Sequence, residues 1–192
     1  MIKQIVTTNN KIIKIYDDVF PYVERTQFHD FIINSYYRLS HDTTFLEHKG
    51  DYNLSSAYSK DDLEKLGFLQ SEGAKIFIDE INGWDILQIR VNLCVQSDPN
   101  RIHVDVDDTN KLCKTLIYYP NMIWEKEWNG FTIFTNDELN EIEYCSFYVP
   151  GRVIIFDGTI PHASCASSII SKSYRYTFVI QFTKNKIIGS NK

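Results

Sequence analysis

The chain has 192 residues, of which 43% are hydrophobic, and its formal net charge is −5 at pH 7. That length suits one domain with a sizeable core. The acidic balance and the lack of a Lys/Arg run argue against nucleic acid as a partner, and no apolar run approaches the about 18 residues of a membrane span. We therefore expect a single domain over residues 1–192.

The cysteines predict a reduced environment. They are widely spaced, without a C-x-x-C pair, which is typical of free thiols in a cytoplasmic protein. A disulfide between Cys113 and Cys145 stays open as an alternative. The first residues lack the apolar run and small-residue cleavage site of a signal peptide.

The first part of the chain predicts a strand at residues 11–20 and a helix at about 22–38, where apolar residues recur at helical spacing. Residues 41–58 are polar and predict a loop or hairpin. Ser59 begins a second helix with a capping box in which Asp replaces Glu, and Gly67 suggests its end. Residues 1–83 are thus a lead-in of helices and strands.

From residue 84 the hydrophobic period becomes two, which predicts strands. Turn signals separate roughly eight short strands, and no pattern of helical length interrupts them. This argues against parallel β-α-β units and favours an antiparallel double-stranded β-helix, the jelly-roll or cupin-like fold. The main strands are expected at 84–95, 102–106, 114–119, 131–135, 145–149, 152–156 and 174–182, with a tail at 183–192.

The segment Ile102-His103-Val104-Asp105-Val106 carries the first chemical signal. Positions i and i+2 of a strand share a face, so an imidazole and a carboxylate stand side by side. A lone His-x-Asp is most often a polar pair at a strand end. His162 follows a strand and a Gly/Pro turn, and two histidines with one carboxylate form the facial triad of non-haem Fe(II) oxygenases. A plain turn histidine is the alternative.

Arg175 carries the second signal. It lies in a late strand that is otherwise uncharged, where a guanidinium needs an anionic partner. Thr177 shares its face, and together they suit a carboxylate. A ligand with a chelating end and a distal carboxylate, such as 2-oxoglutarate, fits this arrangement. An ion pair between Arg175 and Asp157 is the alternative.

Several segments together resemble a known family. They are residues 103–105, 115–121, 130–134, 151–157, His162 and 175–177, and they extend over about residues 84–182. In order and spacing they are similar to the Fe(II)/2-oxoglutarate-dependent dioxygenases, and within them to the prolyl 4-hydroxylase-like branch. The sequence departs from the family at Asn129-Gly130, where two glycines are common, and in a longer gap between His162 and Arg175.

The resemblance implies a role for each candidate residue. His103, Asp105 and His162 would bind Fe(II), and Arg175 the distal carboxylate of 2-oxoglutarate. The same carboxylate would accept a hydrogen bond from Tyr119, assisted by Thr177. The resemblance also implies O₂ as co-substrate and ascorbate as a possible reductant.

The substrate stays open. A prolyl residue in a peptide or protein is favoured by the resemblance, and a free amino acid or small metabolite is the alternative. A non-catalytic alternative is a cupin-like module that binds a metal without turnover. Nucleic acid demethylation is a weaker hypothesis, because the chain is acidic. Oligomeric state, and whether loops 41–58 and 163–174 cover the site, are left undecided by the sequence.

Overall fold

The computed structural model describes residues 2–41, 52–96, 101–105 and 111–185. The lead-in contains four strands and two helices. In chain order they are β1 (Ile2–Val6), β2 (Ile12–Tyr16), α1 (Tyr22–Ile33), β3 (Arg38–His41), β4 (Tyr52–Ala57) and α2 (Lys60–Leu66). Two 3-10 helices follow, at Gly73–Ile76 and Ile78–Glu80.

The remaining strands form the core of the fold. They are β5 (Asp85–Cys94), β6 (Lys111–Tyr118), β7 (Thr132–Thr135), β8 (Ile142–Ser146), β9 (Val153–Asp157), β10 (His162–Ser164) and β11 (Arg175–Asn185). A 3-10 helix at Lys126–Trp128 precedes β7. Every strand pairing among the described residues is antiparallel.

The strands form two sheets. The larger sheet has the order β1-β2-β9-β6-β11-β5-β4-β3, and the smaller has the order β10-β7-β8. Side chains alternate between the faces of the larger sheet, so each face has its own core. One core packs the sheet against α1 and α2. The other lies between the two sheets and contains Ile117, Phe134 and Phe156.

This architecture confirms the predicted fold class, a mainly β protein with N-terminal helices and an antiparallel jelly-roll core. The capping box at Ser59 is also confirmed, because its side chain accepts from the Asp62 N–H while the Asp62 side chain accepts from the Ser59 N–H. Gly67 ends α2 in the left-handed conformation at φ 70°. The four cysteines are free, so the alternative of a Cys113–Cys145 disulfide is wrong.

Several predicted boundaries are wrong. The first helix ends at Ile33 rather than 38, because Arg38–His41 leaves it to pair with β4. That pairing confirms the hairpin alternative for part of 41–58, while residues 42–51 lie outside the described residues. β8 begins earlier than predicted, since residues 142–146 pair with β7. β11 continues to Asn185, where the tail was expected, because its end pairs with β6.

No helix of the described residues is long and apolar enough to cross a membrane.

Candidate active site

Two chain segments that are far apart in sequence bring the predicted metal ligands together. The His103 N–H donates to the His162 carbonyl at 2.9 Å, and the His162 N–H donates to the His103 carbonyl at 2.9 Å. The Asp105 N–H donates to the Gly158 carbonyl at 2.8 Å. The predicted strand at 102–106 is therefore an isolated bridge in its described part, and Val106 lies outside the described residues.

The three side chains converge on one point. Ligand atoms of His103, Asp105 and His162 all lie within 4.8 Å of one another. The carboxylate of Asp105 is 3.9 Å from Nε2 of His103 and 3.7 Å from Nε2 of His162. No further His, Cys, Asp or Glu joins this group among the described residues. The set therefore fits a metal that keeps open coordination positions.

Both imidazoles are oriented for coordination through Nε2. Nδ1 of His103 lies 3.0 Å from the Arg101 carbonyl oxygen, and Nδ1 of His162 lies 2.9 Å from the Ile160 carbonyl oxygen. A carbonyl oxygen only accepts hydrogen bonds, so each Nδ1 carries a proton, and in the neutral imidazole Nε2 is then the nitrogen that presents a lone pair. This is the usual arrangement around metal-bound histidine.

Two donors, one hydroxyl and one amide, fix the orientation of the Asp105 carboxylate. The Thr115 hydroxyl donates to Oδ2, and Gln181 Nε2 donates to Oδ1 at 2.6 Å. Thr115 and Gln181 are directly opposite each other on β6 and β11. The larger sheet therefore orients the carboxylate through β6 and β11, while the two imidazoles lie beside it.

Burial favours the neutral form of His162, whose side chain is 6% exposed. Desolvation lowers the pKa of this imidazole below its ordinary value, and the charge of His103 acts in the same direction while Asp105 opposes it. A neutral imidazole is the form that binds a metal ion. His103 is more open, with 44% of its side chain exposed.

Arg175 lies fully buried at the start of β11, with 1% of its surface exposed. Its Nε donates to the Gly130 carbonyl at 2.8 Å, one terminal nitrogen donates to Thr132 Oγ1 at 3.0 Å, and the other is 3.5 Å from Cys94 Sγ. None of the described carboxylates pairs with it. The alternative of an Arg175–Asp157 ion pair is therefore wrong.

Thr132 connects Arg175 to Tyr119. The Tyr119 hydroxyl donates to Thr132 Oγ1 at 2.7 Å, and the Tyr119 ring stacks on Tyr148 with centroids 4.3 Å apart. Both rings also lie beneath the guanidinium, at 5.7 and 5.4 Å from its central carbon. Thr132 and Thr177 line the cavity described below, whereas Tyr119 is not among its lining residues.

Gly130 explains one departure from the family pattern. Its backbone has φ 76°, and a Cβ atom there would lie 2.9 Å from the Trp124 ring and 3.2 Å from Cδ of Arg175. The preceding residue, Asn129, also has a positive φ, of 57°. A single glycine therefore suffices for Arg175 to pass close to the chain.

A cavity of about 570 Å³, including its part open to solvent, joins the predicted metal ligands to Arg175. The polar face of β5, with Gln88, Arg90 and Asn92, lines this cavity. The cavity also contains Thr132, which the sequence analysis missed. Its lining consists of Gln88, Arg90, Asn92, His103, Asp105, Thr115, Ile117, Thr132, His162, Ser164, Arg175, Thr177, Val179 and Gln181.

The distance between the two ends of the cavity suits a short dicarboxylate. Thr132, which holds the guanidinium, is two residues along β7 from Phe134, the partner of His162. Two residues of a strand extend over about 7 Å. A five-carbon dicarboxylate has four carbon–carbon bonds of about 1.5 Å each, a length compatible with that offset.

Other histidines and carboxylates do not enlarge the site among the described residues. His29 Nδ1 lies 3.1 Å from the Pro120 carbonyl, on the helical side of the sheet. Asp107 and Asp108, the turn carboxylates that follow the His-x-Asp segment, lie outside the described residues. The interpretation of His162 as a turn histidine is wrong, because it is the first residue of β10.

Solved structures with the same fold were found by structural comparison. A prolyl hydroxylase from Trichoplax adhaerens, in complex with a peptide fragment of the hypoxia inducible factor oxygen degradation domain, aligns with TM-score 0.62 and 16% identity, covering 88% of this chain and 82% of its own. A prolyl-4-hydroxylase from Pseudomonas putida aligns with TM-score 0.62 and 12% identity, covering 90% and 92%.

HygX from Streptomyces hygroscopicus, solved with nickel and 2-oxoglutarate bound, aligns with TM-score 0.61 and 10% identity over 88% of this chain and 82% of its own. No protein-family model and no curated protein matches the sequence. At these identities the likeness concerns the fold. The double-stranded β-helix predicted from the sequence is thus the fold this chain shares with 2-oxoglutarate-dependent oxygenases.

Proposed function

We propose that this protein is an Fe(II)- and 2-oxoglutarate-dependent dioxygenase that hydroxylates a C–H bond of its substrate. The observation that carries the proposal is one cavity with two complementary ends. One end presents a His-Asp-His group with both Nε2 atoms free. The other presents a buried guanidinium that no described carboxylate neutralises.

The proposed reaction consumes O₂ and 2-oxoglutarate and releases succinate and CO₂, with one oxygen atom entering the substrate C–H bond. Bound iron and 2-oxoglutarate supply this oxidative chemistry. The protein's own residues bind, orient and shield these groups.

His103, Asp105 and His162 would hold the iron, and with three protein ligands the site would keep coordination positions open for other ligands. Thr115 and Gln181 orient the Asp105 carboxylate toward the two imidazoles. Arg175 would bind the distal carboxylate through its terminal nitrogens, beside the Thr132 hydroxyl. Tyr119 would act directly on this carboxylate, as the resemblance implies, or through Thr132; Thr177 would assist.

A prolyl residue in a peptide or protein is the substrate class that the resemblance favours. The Trichoplax relative in fold carries a bound peptide. The exposed side of His103 gives the metal end a solvent-facing approach, which suits a large substrate. A free amino acid or small metabolite is the alternative, and a non-catalytic metal module would leave the uncompensated Arg175 without a purpose. The free thiols are consistent with the cytoplasmic location that the sequence predicts.

Succinate formation from 2-oxoglutarate tests the proposal directly. The protein is incubated in air with Fe(II), ascorbate as reductant and no added substrate, and succinate is quantified. We expect slow uncoupled turnover that is lost in His162→Ala and Asp105→Ala, with circular dichroism confirming that both variants are folded. Anaerobic calorimetry of 2-oxoglutarate binding accompanies the assay.

Binding of 2-oxoglutarate without turnover would mean that the enzyme requires its substrate to start the reaction. The absence of both 2-oxoglutarate binding and turnover would contradict the proposal and would favour the non-catalytic module. Normal metal binding by Asp105→Ala would show that the metal is held elsewhere.

A further inference from the structure

A second arginine, Arg90, lies in the same cavity and takes no part in the arrangement described above. It is in the middle of β5, half-buried, between Gln88 and Asn92 on the face that lines the cavity. The intervening residues Ile89 and Val91 are buried in the core on the opposite face. The chain therefore presents Arg90 to the cavity rather than to bulk solvent.

The strand register places Arg90 near the metal end. Arg90 pairs with Val179 of β11, which pairs with Ile117 of β6. The next inward-facing pair along these strands is Gln88 with Gln181, and Gln181 contacts Asp105. Arg90 is thus one step of two residues, about 7 Å, from the level of the metal ligands. It lies on the β5 side, away from Thr132.

Arg90 has no partner of its own. Over the part of the chain that the structure describes, neither Arg90 nor Gln88 makes a side-chain hydrogen bond or ion pair. By contrast, Asn92 donates to the Thr177 hydroxyl at 3.3 Å, and Arg175 has three protein partners. Arg90 and Gln88 therefore offer unused donors to whatever enters this side of the cavity.

Charge balance indicates the sign of the occupant. With neutral imidazoles, a divalent metal, Asp105, Arg90 and Arg175 together carry three positive charges. 2-Oxoglutarate neutralises two of them. A neutral substrate that covered Arg90 would remove the remaining charge from water without a partner, which is costly.

Resting on the proposed function, we infer that the substrate carries a carboxylate, which Arg90 binds with Gln88 as a neighbouring donor. The guanidinium fork matches a carboxylate in two parallel hydrogen bonds. Phosphate carries more charge than this single unpaired cation balances. Binding of its carboxylate to Arg90 would hold the substrate on the β5 side of the cavity. A carbon a few bonds from that carboxylate would then lie next to the metal. Its source is either a free acid, such as an amino acid, or an acidic side chain beside the target residue of a peptide.

Fluorine NMR with trifluoroacetate tests this site without knowledge of the substrate. The protein is loaded with Zn(II) and saturating 2-oxoglutarate, so that the Arg175 end is filled. We expect saturable binding of trifluoroacetate, weakened about tenfold or more in Arg90→Gln, because this variant loses the charged hydrogen-bond donors to the carboxylate. Lys65→Gln, which removes one positive charge from the exposed side of α2 on the opposite face of the larger sheet, is the control and should bind normally.

The outcomes separate this inference from the proposed function. Calorimetry first establishes whether 2-oxoglutarate binds, and its failure to bind would overturn the proposed function. Normal 2-oxoglutarate binding with equal trifluoroacetate affinity in wild type and Arg90→Gln would overturn the inference alone. Inorganic phosphate that binds more tightly than trifluoroacetate at the same residue would overturn the choice of a carboxylate.

Competition distinguishes the two sources of the carboxylate. Free L-amino acids and the blocked peptide acetyl-Asp-Pro-amide are each titrated against bound trifluoroacetate, with the amino acid amides and acetyl-Asn-Pro-amide as neutral counterparts. Displacement by the free acids supports a small-molecule substrate. Displacement by the acidic peptide alone supports a peptide substrate. Equal displacement by the acids and their neutral counterparts would contradict the inference.

Discussion

Gln181 orients the Asp105 carboxylate by one hydrogen bond at 2.6 Å, and Thr115 does so by another. Removing such a support commonly lowers metal affinity by about 10–100-fold. We expect Gln181→Leu to weaken Fe(II) binding within that range while the protein stays folded. Thr183→Val, further along β11 and outside the cavity, is the control. Metal titration by calorimetry under anaerobic conditions measures the effect, and an unchanged affinity would show that Asp105 needs no support from β11.

The carboxylate-binding end allows a graded series. Arg175→Lys keeps the charge but loses the fork, and we expect the 2-oxoglutarate requirement to rise by about 30-fold or more. Thr132→Val should raise it by about 3–10-fold, as expected for one neutral hydrogen bond. Tyr119→Phe should have a smaller effect than Thr132→Val if its hydroxyl acts through Thr132. The apparent KM for 2-oxoglutarate in succinate formation measures all three.

Tyr118→Phe is the matched control for this series, because Tyr118 neighbours Tyr119 but points into the core on the other face of the sheet. Its KM should equal that of the wild type. An effect of Tyr119→Phe as large as that of Thr132→Val would instead support direct binding of the carboxylate by Tyr119, as the resemblance implies.

The predicted residues of the site differ in how visible they are in sequence. His103 and Asp105 reveal themselves by local spacing, and Arg175 by its odd position in an apolar strand. Thr132 carries no such signal, because it matters only through the strand pairing that places it between Arg175 and Tyr119. Strand alternation places Gln181 on the same face of β11 as Arg175. Its contact with Asp105 depends on register across residues 76 positions apart.

At the scale of single elements, α2 offers a direct test of local stabilisation. Ser59→Ala removes its capping box, and we expect this variant to lose about 1 kcal/mol of unfolding free energy, measured with urea at neutral pH. Hydrogen bonds from Ser59 lower the pKa of the Asp62 carboxyl. Because the pKa of Asp62 is lower in the folded protein than in the unfolded chain, its hydrogen bonds stabilise the fold above the ordinary Asp pKa of about 4. This stabilisation is lost as the pH falls through the lowered pKa.

The difference between wild type and Ser59→Ala should therefore shrink on acidification. Asp61→Asn, in the same turn but outside the capping box, controls for the loss of an acidic residue near the helix start. Equal unfolding midpoints for wild type and Ser59→Ala at neutral pH would show that the cap contributes nothing.

Element boundaries were less predictable than element types, for a physical reason. The periodicity of residues 22–38 continues past the real end of α1, and only pairing with β4 draws Arg38–His41 into the sheet. β10 is three residues long and forms because Phe134 and its neighbours on β7 lie opposite it. Such short strands are set by their partners, so a local pattern cannot reveal them.

At the scale of the whole molecule, Phe68 joins the lead-in to the β core. Its fully buried ring lies 4.9 Å from the ring of Phe28 in α1 and 5.0 Å from that of Phe178 in β11. We expect Phe68→Ala to lower the free energy of unfolding by about 3–5 kcal/mol. Phe147→Ala, at a ring 54% exposed, should cost less than about 1.5 kcal/mol.

Urea unfolding followed by both circular dichroism and tryptophan fluorescence measures these changes. Coincident transitions are expected, because one core spans the helices and the larger sheet. Two separate transitions would show that the lead-in unfolds independently of the β core.

The central position of β11 has a consequence for how the protein is made. The strands β1-β2-β9-β6 and β5-β4-β3 form two halves of the larger sheet, and β11 is the strand that joins them. Among the described strands β11 is the last to be synthesised, so a nascent chain that ends before Arg175 lacks the strand that joins the two halves of the sheet. We therefore expect the nascent chain to be prone to aggregation until β11 is made. The strand that closes the sheet also brings Arg175, the proposed anion-binding residue, and Gln181, the hydrogen-bond partner of Asp105.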